Sequence, residues 1–193
     1  MNKSHLEFLA SPEWAAMLQA DLLPWLSTAA DLGDDVLEVG PGPGLTTDLL
    51  RSRTARVTCV EIDEPLANAL TDRLAGTNVE VIHGDATATG LDDDRFSAAT
   101  CFAMLHHVPS TELQDQVFAE VHRVLRPGGA FLGTDSLDVE PIRIGHLDDI
   151  FVPIDPATFP ARLEAAGFVD VSTIEHGEYG FRFLARKPGS RSP

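Results

Sequence analysis

Basic side chains are scarce. Fourteen Lys and Arg stand against 30 Asp and Glu, a formal net charge of −16. A surface that grips phosphates needs clustered cations to displace counterions, and here the cations are scattered along the chain. The balance argues against nucleic acid and against an anionic membrane surface as partners. The acidity is read as a solvated, soluble exterior.

Cysteine is nearly absent, with only Cys59 and Cys101 in 193 residues. No C-x-x-C spacing occurs, which removes the common structural-zinc and redox motifs. Each cysteine sits in a strand-like run, so both are expected as buried free thiols. There is no run of 18 apolar residues, and no charged, apolar, small-residue leader opens the chain. These absences set the expectation of a cytoplasmic protein.

What the chain does contain is 44% hydrophobic residues, 15 Gly and 13 Pro. That suits one core with many turns and is too short for a second. The expected organisation is a single domain over 1–193. It has a helical region at 1–34, an alternating core at 35–187 and a frayed polar tail at 188–193.

Residues 5–30 carry a helical period in Trp14, Met17, Leu18, Leu22, Trp25 and Leu26. Ser11-Pro12 reads as a cap and first position, and Pro24 as a break. The segment is either core packing or a lid over a ligand. Strands are then expected at 35–39, 56–62, 78–83, 96–103 and 130–135. Helices are expected at 45–53, from Glu64 to Gly76 and from Thr111, with Thr111 and Gln114 as a capping box. Pro127-Gly128-Gly129 is expected to stop the last of these. Residues 136–155 show no period and read as a functional loop. A helix at 158–166 and a hairpin at 168–174 and 180–186 close the chain. Strands alternating with helices imply a parallel sheet covered on both faces, with an antiparallel edge from the hairpin.

The strongest chemical signal is Val36-Leu37-Glu38-Val39-Gly40-Pro41-Gly42-Pro43-Gly44. An apolar strand runs into glycines and then into a helix, and the glycines let the backbone turn tightly and approach a ligand. The spacing is G-x-G-x-G. A dinucleotide fingerprint would require Gly or Ala at position 45, which is Leu45. The turn is thus made for an uncharged or zwitterionic group and not a pyrophosphate.

Glu38 to Gly44 resembles motif I of the class I S-adenosylmethionine-dependent methyltransferases. The likeness continues in order through Val60-Glu61-Ile62-Asp63, Gly84-Asp85-Ala86, Ala103-Met104-Leu105-His106-His107-Val108 and Val124-Leu-Arg-Pro-Gly-Gly129. It covers about residues 30–186 and is nearest to small-molecule methyltransferases of the quinone-biosynthesis type. The resemblance implies an α/β fold: a Rossmann-like three-layer αβα sandwich with a seven-stranded, mostly parallel sheet. The implied order is 3-2-1-4-5-7-6, with strand 7 antiparallel. It also implies S-adenosylmethionine as cofactor and S-adenosylhomocysteine as product. Glu61 would take the ribose hydroxyls, with Ile62 beside it, and Asp85 and the Ala86 amide would hold the adenine. Gly40, Gly42, Gly44, Ala103, Met104 and His106 would surround the methionine moiety. Glu38 would hold the ligand's amino group through water or brace the glycine loop through amide hydrogens.

His106 and His107 stand at an expected strand end, where successive side chains point to opposite sides. At most one of them is then expected to face the cleft. His107 and His146 are the candidate catalytic residues, since a histidine titrates near neutrality and can serve as general base. Asp135, Asp138, Glu140, Asp148 and Asp149 surround the loop; a plain acidic loop is preferred over a Mg²⁺ site, and no metal is expected. The expected activity is methyl transfer to a small-molecule acceptor, with oxygen favoured. The alternatives are N-, C- or S-methylation, an aminopropyl-type transfer, or a non-catalytic S-adenosylmethionine-binding protein. Oligomeric state stays open.

Overall fold

The computed structural model describes residues 3–190. The end of the tail expected to fray, 191–193, lies outside the described residues. Helix α1 (Lys3–Leu9) leads to Ser11, whose hydroxyl accepts Trp14 N–H at 3.1 Å and caps α2 (Pro12–Met17). The expected break at Pro24 takes a definite form. A π-helical turn, Leu18–Leu22, runs directly into α3 (Leu23–Ala29), and the widened turn lies just before Pro24, which has no N–H to give to it.

The sheet follows in order β1 (Asp35–Val39), β2 (Arg56–Glu61), β3 (Val79–His83), β4 (Phe96–Phe102), β5 (Leu125–Ser136), β6 (Val169–His176) and β7 (Gly180–Arg186). Their spatial order is β3-β2-β1-β4-β5-β7-β6, and β7 runs antiparallel to both β5 and β6. This is the sheet that the resemblance implied. All five residues of β1 are buried, as a central strand requires.

The sheet divides the core in two. On one face, Leu18, Leu22 and Leu26 of the N-terminal segment pack with Val36, Val57, Ala98 and Leu132, joined by Leu50 of α4 (Leu45–Leu50) and Leu70 of α5 (Glu64–Arg73). On the other, Phe118 of α6 (Thr111–Val124) and Phe159 of α8 (Phe159–Ala165) pack on Leu37, Phe131, Phe181 and Phe183. The N-terminal segment is also fixed at the sheet's antiparallel edge. Asp21 accepts Arg182 Nη2–H at 2.8 Å and pairs with His176 at 3.0 Å, and the Arg182 guanidinium lies 5.1 Å from the Trp25 ring.

Three local expectations need correction. The cap of α6 is Ser110, which accepts Leu113 N–H, so there is no Thr111–Gln114 capping box; Gln114 is buried and bonds elsewhere. α6 ends at Val124, and Pro127-Gly128-Gly129 lie inside β5. Residues 136–155 are not wholly irregular, because α7 (Glu140–Gly145) forms within them. Its single turn and a half is too short for a periodic signal. Among the described residues no helix is long and apolar enough to cross a membrane.

Candidate active site

A cavity of about 360 Å³ opens beyond the carboxyl ends of β1, β2 and β4. This is where strand order reverses and where open parallel sheets hold ligands. Its floor is the glycine turn. Gly40 N–H donates to Val60 O at 2.9 Å, tying the turn to β2. Gly40 has φ +64°, and a Cβ there would collide with Met104 Cγ. Gly42 has φ +55°, lines the cavity, and has no atom within 4 Å of where its Cβ would be.

Two side chains hold the turn from below. Glu61, 6% exposed at the end of β2, accepts Gly42 N–H on Oε2 and Asp63 N–H on Oε1, both at 3.0 Å. Arg73 at the end of α5 donates to Pro43 O and Gly44 O, at 3.2 and 3.0 Å, and to Asp48 at 2.6 Å. Gly44 itself lies behind the turn against Leu70 and Arg73.

Glu38 is 1% exposed and does not line the cavity. Its carboxyl bonds the hydroxyls of Thr46 and Thr47, the latter at 2.6 Å, with Cys59 Sγ at 3.5 Å. Burial raises its pKa above the usual carboxylate range. These bonds tie Glu38 to the first turn of α4 through threonine hydroxyls, not to amide hydrogens of the glycine loop.

Ile62, Asp85 and Ala86 line the cavity wall on the β2–β3 side. Asp85 Oδ1 accepts the amide and the hydroxyl of Thr87, both at 2.8 Å, a closed aspartate turn. Leu6, Leu9 and Trp14 of the N-terminal helices cover another side.

The wall after β4 departs most from expectation. The strand ends at Phe102, Ala103 adopts φ +50°, and Leu105–His107 form a 3₁₀ turn. Strand alternation therefore does not apply to His106 and His107, whose rings lie 4.3 Å apart. His107 lines the cavity together with Ala103, Met104 and Asp149. His106 does not: it is 1% exposed, with Nδ1 at 2.5 Å from Asp135 Oδ1. His146, at the end of α7, is 8% exposed and also off the cavity wall, with Nε2 at 3.1 Å from His106 Nε2. Buried in this way, neither is placed for the direct ligand contact that the sequence reading gave it.

Several contributors were not found by sequence reading. Gln114 Nε2 donates to Leu105 O and Val152 O, at 3.0 and 2.8 Å, and so ties both sides of the histidine wall to α6. Thr46, Thr47 and Arg73 lie one helix away from the motif residues that they hold. None has a motif of its own; only the fold brings them in.

The sheet order, the glycine turn bound to an acid at the end of β2 and the cavity above them define a Rossmann-like fold of the methyltransferase type. The family description "Methyltransferase domain" matches residues 37–133. The chain belongs to this family, the class I S-adenosylmethionine-dependent methyltransferases. It is 36% identical over 110 residues to a ubiquinone biosynthesis O-methyltransferase of Pseudomonas syringae pv. tomato, covering 54% of this chain and 46% of that one. It is 32% identical over 168 residues to a probable S-adenosylmethionine-dependent methyltransferase of Mycolicibacterium smegmatis, covering 82% of this chain and 62% of the relative. The chain thus spans less than two thirds of either curated relative. A solved S-adenosylmethionine-dependent methyltransferase from Aquifex aeolicus shares the fold, with TM-score 0.75 at 20% identity over 96% of this chain and 98% of that one.

Proposed function

We propose that this protein transfers the methyl group of S-adenosylmethionine to the oxygen of a small molecule. The observation that carries the reading is the cavity itself, with the Glu61-braced glycine turn on one side and the His107–Asp149 wall on the other. Glu61 retains acceptor capacity on both oxygens for the ribose hydroxyls. Gly40 and Gly42 allow the methionine moiety to approach the backbone. Asp85, Ala86 and Ile62 receive the adenine, and Ala103 and Met104 flank the sulfonium.

The acceptor then lies between Leu6, Leu9 and Trp14 and the wall that ends in His107. The N-terminal helices act as its lid, within one domain with the sheet. In the reaction the acceptor oxygen forms a bond to the methyl carbon as the sulfur–carbon bond breaks, and S-adenosylhomocysteine leaves. The cofactor brings an activated methyl group, so the protein mainly orients and excludes water. A hydroxyl must also lose its proton, and the histidine cluster behind His107 is the device that favours this. The name of the Pseudomonas relative, an O-methyltransferase, supports oxygen over nitrogen. Two buried thiols suit a reducing cytoplasm.

The test is transfer of label from methyl-labelled S-adenosylmethionine to a panel of phenols, catechols, sugar-like alcohols, amines and thiols. Label on a hydroxyl is the expected result. Transfer to amines or thiols alone would overturn the oxygen assignment. Absence of S-adenosylmethionine binding by calorimetry would overturn the whole reading.

A further inference from the structure

The geometry points to a three-histidine metal site formed by His106, His107 and His146, of the kind that takes Zn²⁺. Each residue offers one ligand atom, and the three atoms lie within 4.8 Å of one another. The outer side of each ring supports the assignment. His146 Nδ1 is 2.7 Å from Ile142 O, and His107 Nδ1 is 3.1 Å from Ile150 O. A carbonyl oxygen only accepts, so both Nδ1 atoms carry the hydrogen. Asp135 takes Leu105 N–H on Oδ2 and Ser136 N–H on Oδ1, and faces His106 Nδ1 at 2.5 Å, again as acceptor. The tautomers are assigned from these partners.

His106 and His146 thereby turn Nε2 toward each other, with a ligand atom of His107 within 4.8 Å of both. For His106 and His146 the two Nε2 atoms stand 3.1 Å apart. At that distance the pair takes either a proton shared between the two nitrogens or a cation bound by both. On a shared tetrahedral Zn²⁺, with Zn–N of about 2.0–2.1 Å, two nitrogens lie about 3.3 Å apart. One carboxylate and two backbone carbonyls on the far nitrogens are the usual outer partners of metal-bound histidines.

The surroundings are built for a fixed, dry centre. His106 and Asp135 are almost fully buried. Phe151 packs 4.7 Å from the His146 ring and 5.5 Å from the His106 ring. Val152 N–H bonds His106 O at 2.8 Å, joining the two chain segments that supply the ligands. Three imidazoles without a thiolate or ligating carboxylate suit a borderline divalent ion such as Zn²⁺ over Mg²⁺ or Ca²⁺. Since His107 lines the cavity, the cluster adjoins the proposed acceptor site. An ion held there would supply Lewis-acid chemistry, lowering the pKa of an acceptor hydroxyl so that its proton passes to water as the oxygen takes the methyl group. That role rests on the proposed methyl transfer; the binding of the metal does not.

The experiment uses the whole chain after treatment with chelator, checked for folding by circular dichroism, and titrated with Zn²⁺ and with Co²⁺. One equivalent of each is expected to bind, with a visible Co²⁺ spectrum of a four-coordinate nitrogen site. His106→Gln and His146→Gln should abolish that spectrum. Asp135→Asn, which keeps the side-chain shape, should weaken binding by about 10–100-fold. No stoichiometric binding by the wild type would overturn the site and leave the cluster as a proton-sharing group. Binding unchanged in both glutamine variants would place the ion elsewhere and overturn it equally. S-adenosylmethionine calorimetry on the same samples separates the two readings: its failure sinks the proposed transfer and leaves the metal result standing.

Discussion

Glu61 Oε2 accepts the amide hydrogen of Gly42 at 3.0 Å, across 19 residues of sequence. The acid at the end of β2 and the turn at the end of β1 are therefore one unit, and a ligand that meets one meets the other. Glu61→Ala should weaken S-adenosylmethionine binding by about 1.5–3 kcal/mol, the range for charged hydrogen bonds lost together. Calorimetry on the variant measures it. NAD should show no binding to the wild type, and unchanged affinity for S-adenosylmethionine in the variant would remove Glu61 from the site.

The two glycines of the turn should separate stability from binding. Gly40→Ala brings a methyl group onto Met104 at a backbone angle of +64°. It should lower unfolding free energy by about 1–3 kcal/mol or more, from strain alone. Gly42→Ala meets no atom within 4 Å, so only its φ of +55° counts against stability. Gly42 also lines the cavity and gives its N–H to Glu61, so the cost is expected in binding. Urea melts should show the larger loss for Gly40→Ala. Calorimetry should show lost cofactor affinity for Gly42→Ala even where the fold is kept.

Glu38 gives a pH signature of definite sign. Its folded pKa is raised by burial, so the folded state holds the proton more tightly than the unfolded one. Its contribution to stability is then greatest below the ordinary carboxylate pKa and falls as pH rises through the raised folded value. Glu38→Gln removes that titration. The difference in unfolding free energy, wild type minus variant, should decrease as pH rises from acid towards neutrality. A difference that grows with pH would contradict the assignment.

Cys59 and Cys101 flank Glu38 and Val39 of β1 from opposite sides, one on β2 and one on β4. Two strand spacings make about 9–10 Å, outside disulfide reach. Burial also raises both thiol pKa values. A thiol reagent should label neither cysteine in the native protein and both on unfolding. Fast native labelling of either would require an opening of the central sheet.

The segments legible in advance share one property: their meaning is local. Val36 to Gly44 is a strand, a turn and a helix start within nine residues, and hydrophobic runs with glycine punctuation specify that without help from the rest of the chain. The same holds for Glu61 after β2, Asp85 after β3 and the hairpin β6–β7. Together with their order, these determined the fold and one half of the cavity. Where local reasoning was extended by one step it failed. His106 and His107 were assigned to a strand end, but the chain turns at Ala103 into a 3₁₀ turn. Ser110 took the cap expected of Thr111, leaving Gln114 to bond Leu105 and Val152.

What only the tertiary structure decided is the opposite half of the site. His106 meets His146 across 40 residues and Asp135 across 29. Arg73 reaches Gly44 across 29. No spacing rule joins such positions, because their separation is set by how α5 returns to the end of β1 and how β5 and α7 return past the end of β4. Glycine turns are written by backbone sterics over a few residues. A cluster of buried imidazoles is written by packing, and packing exists only once the whole sheet is assembled.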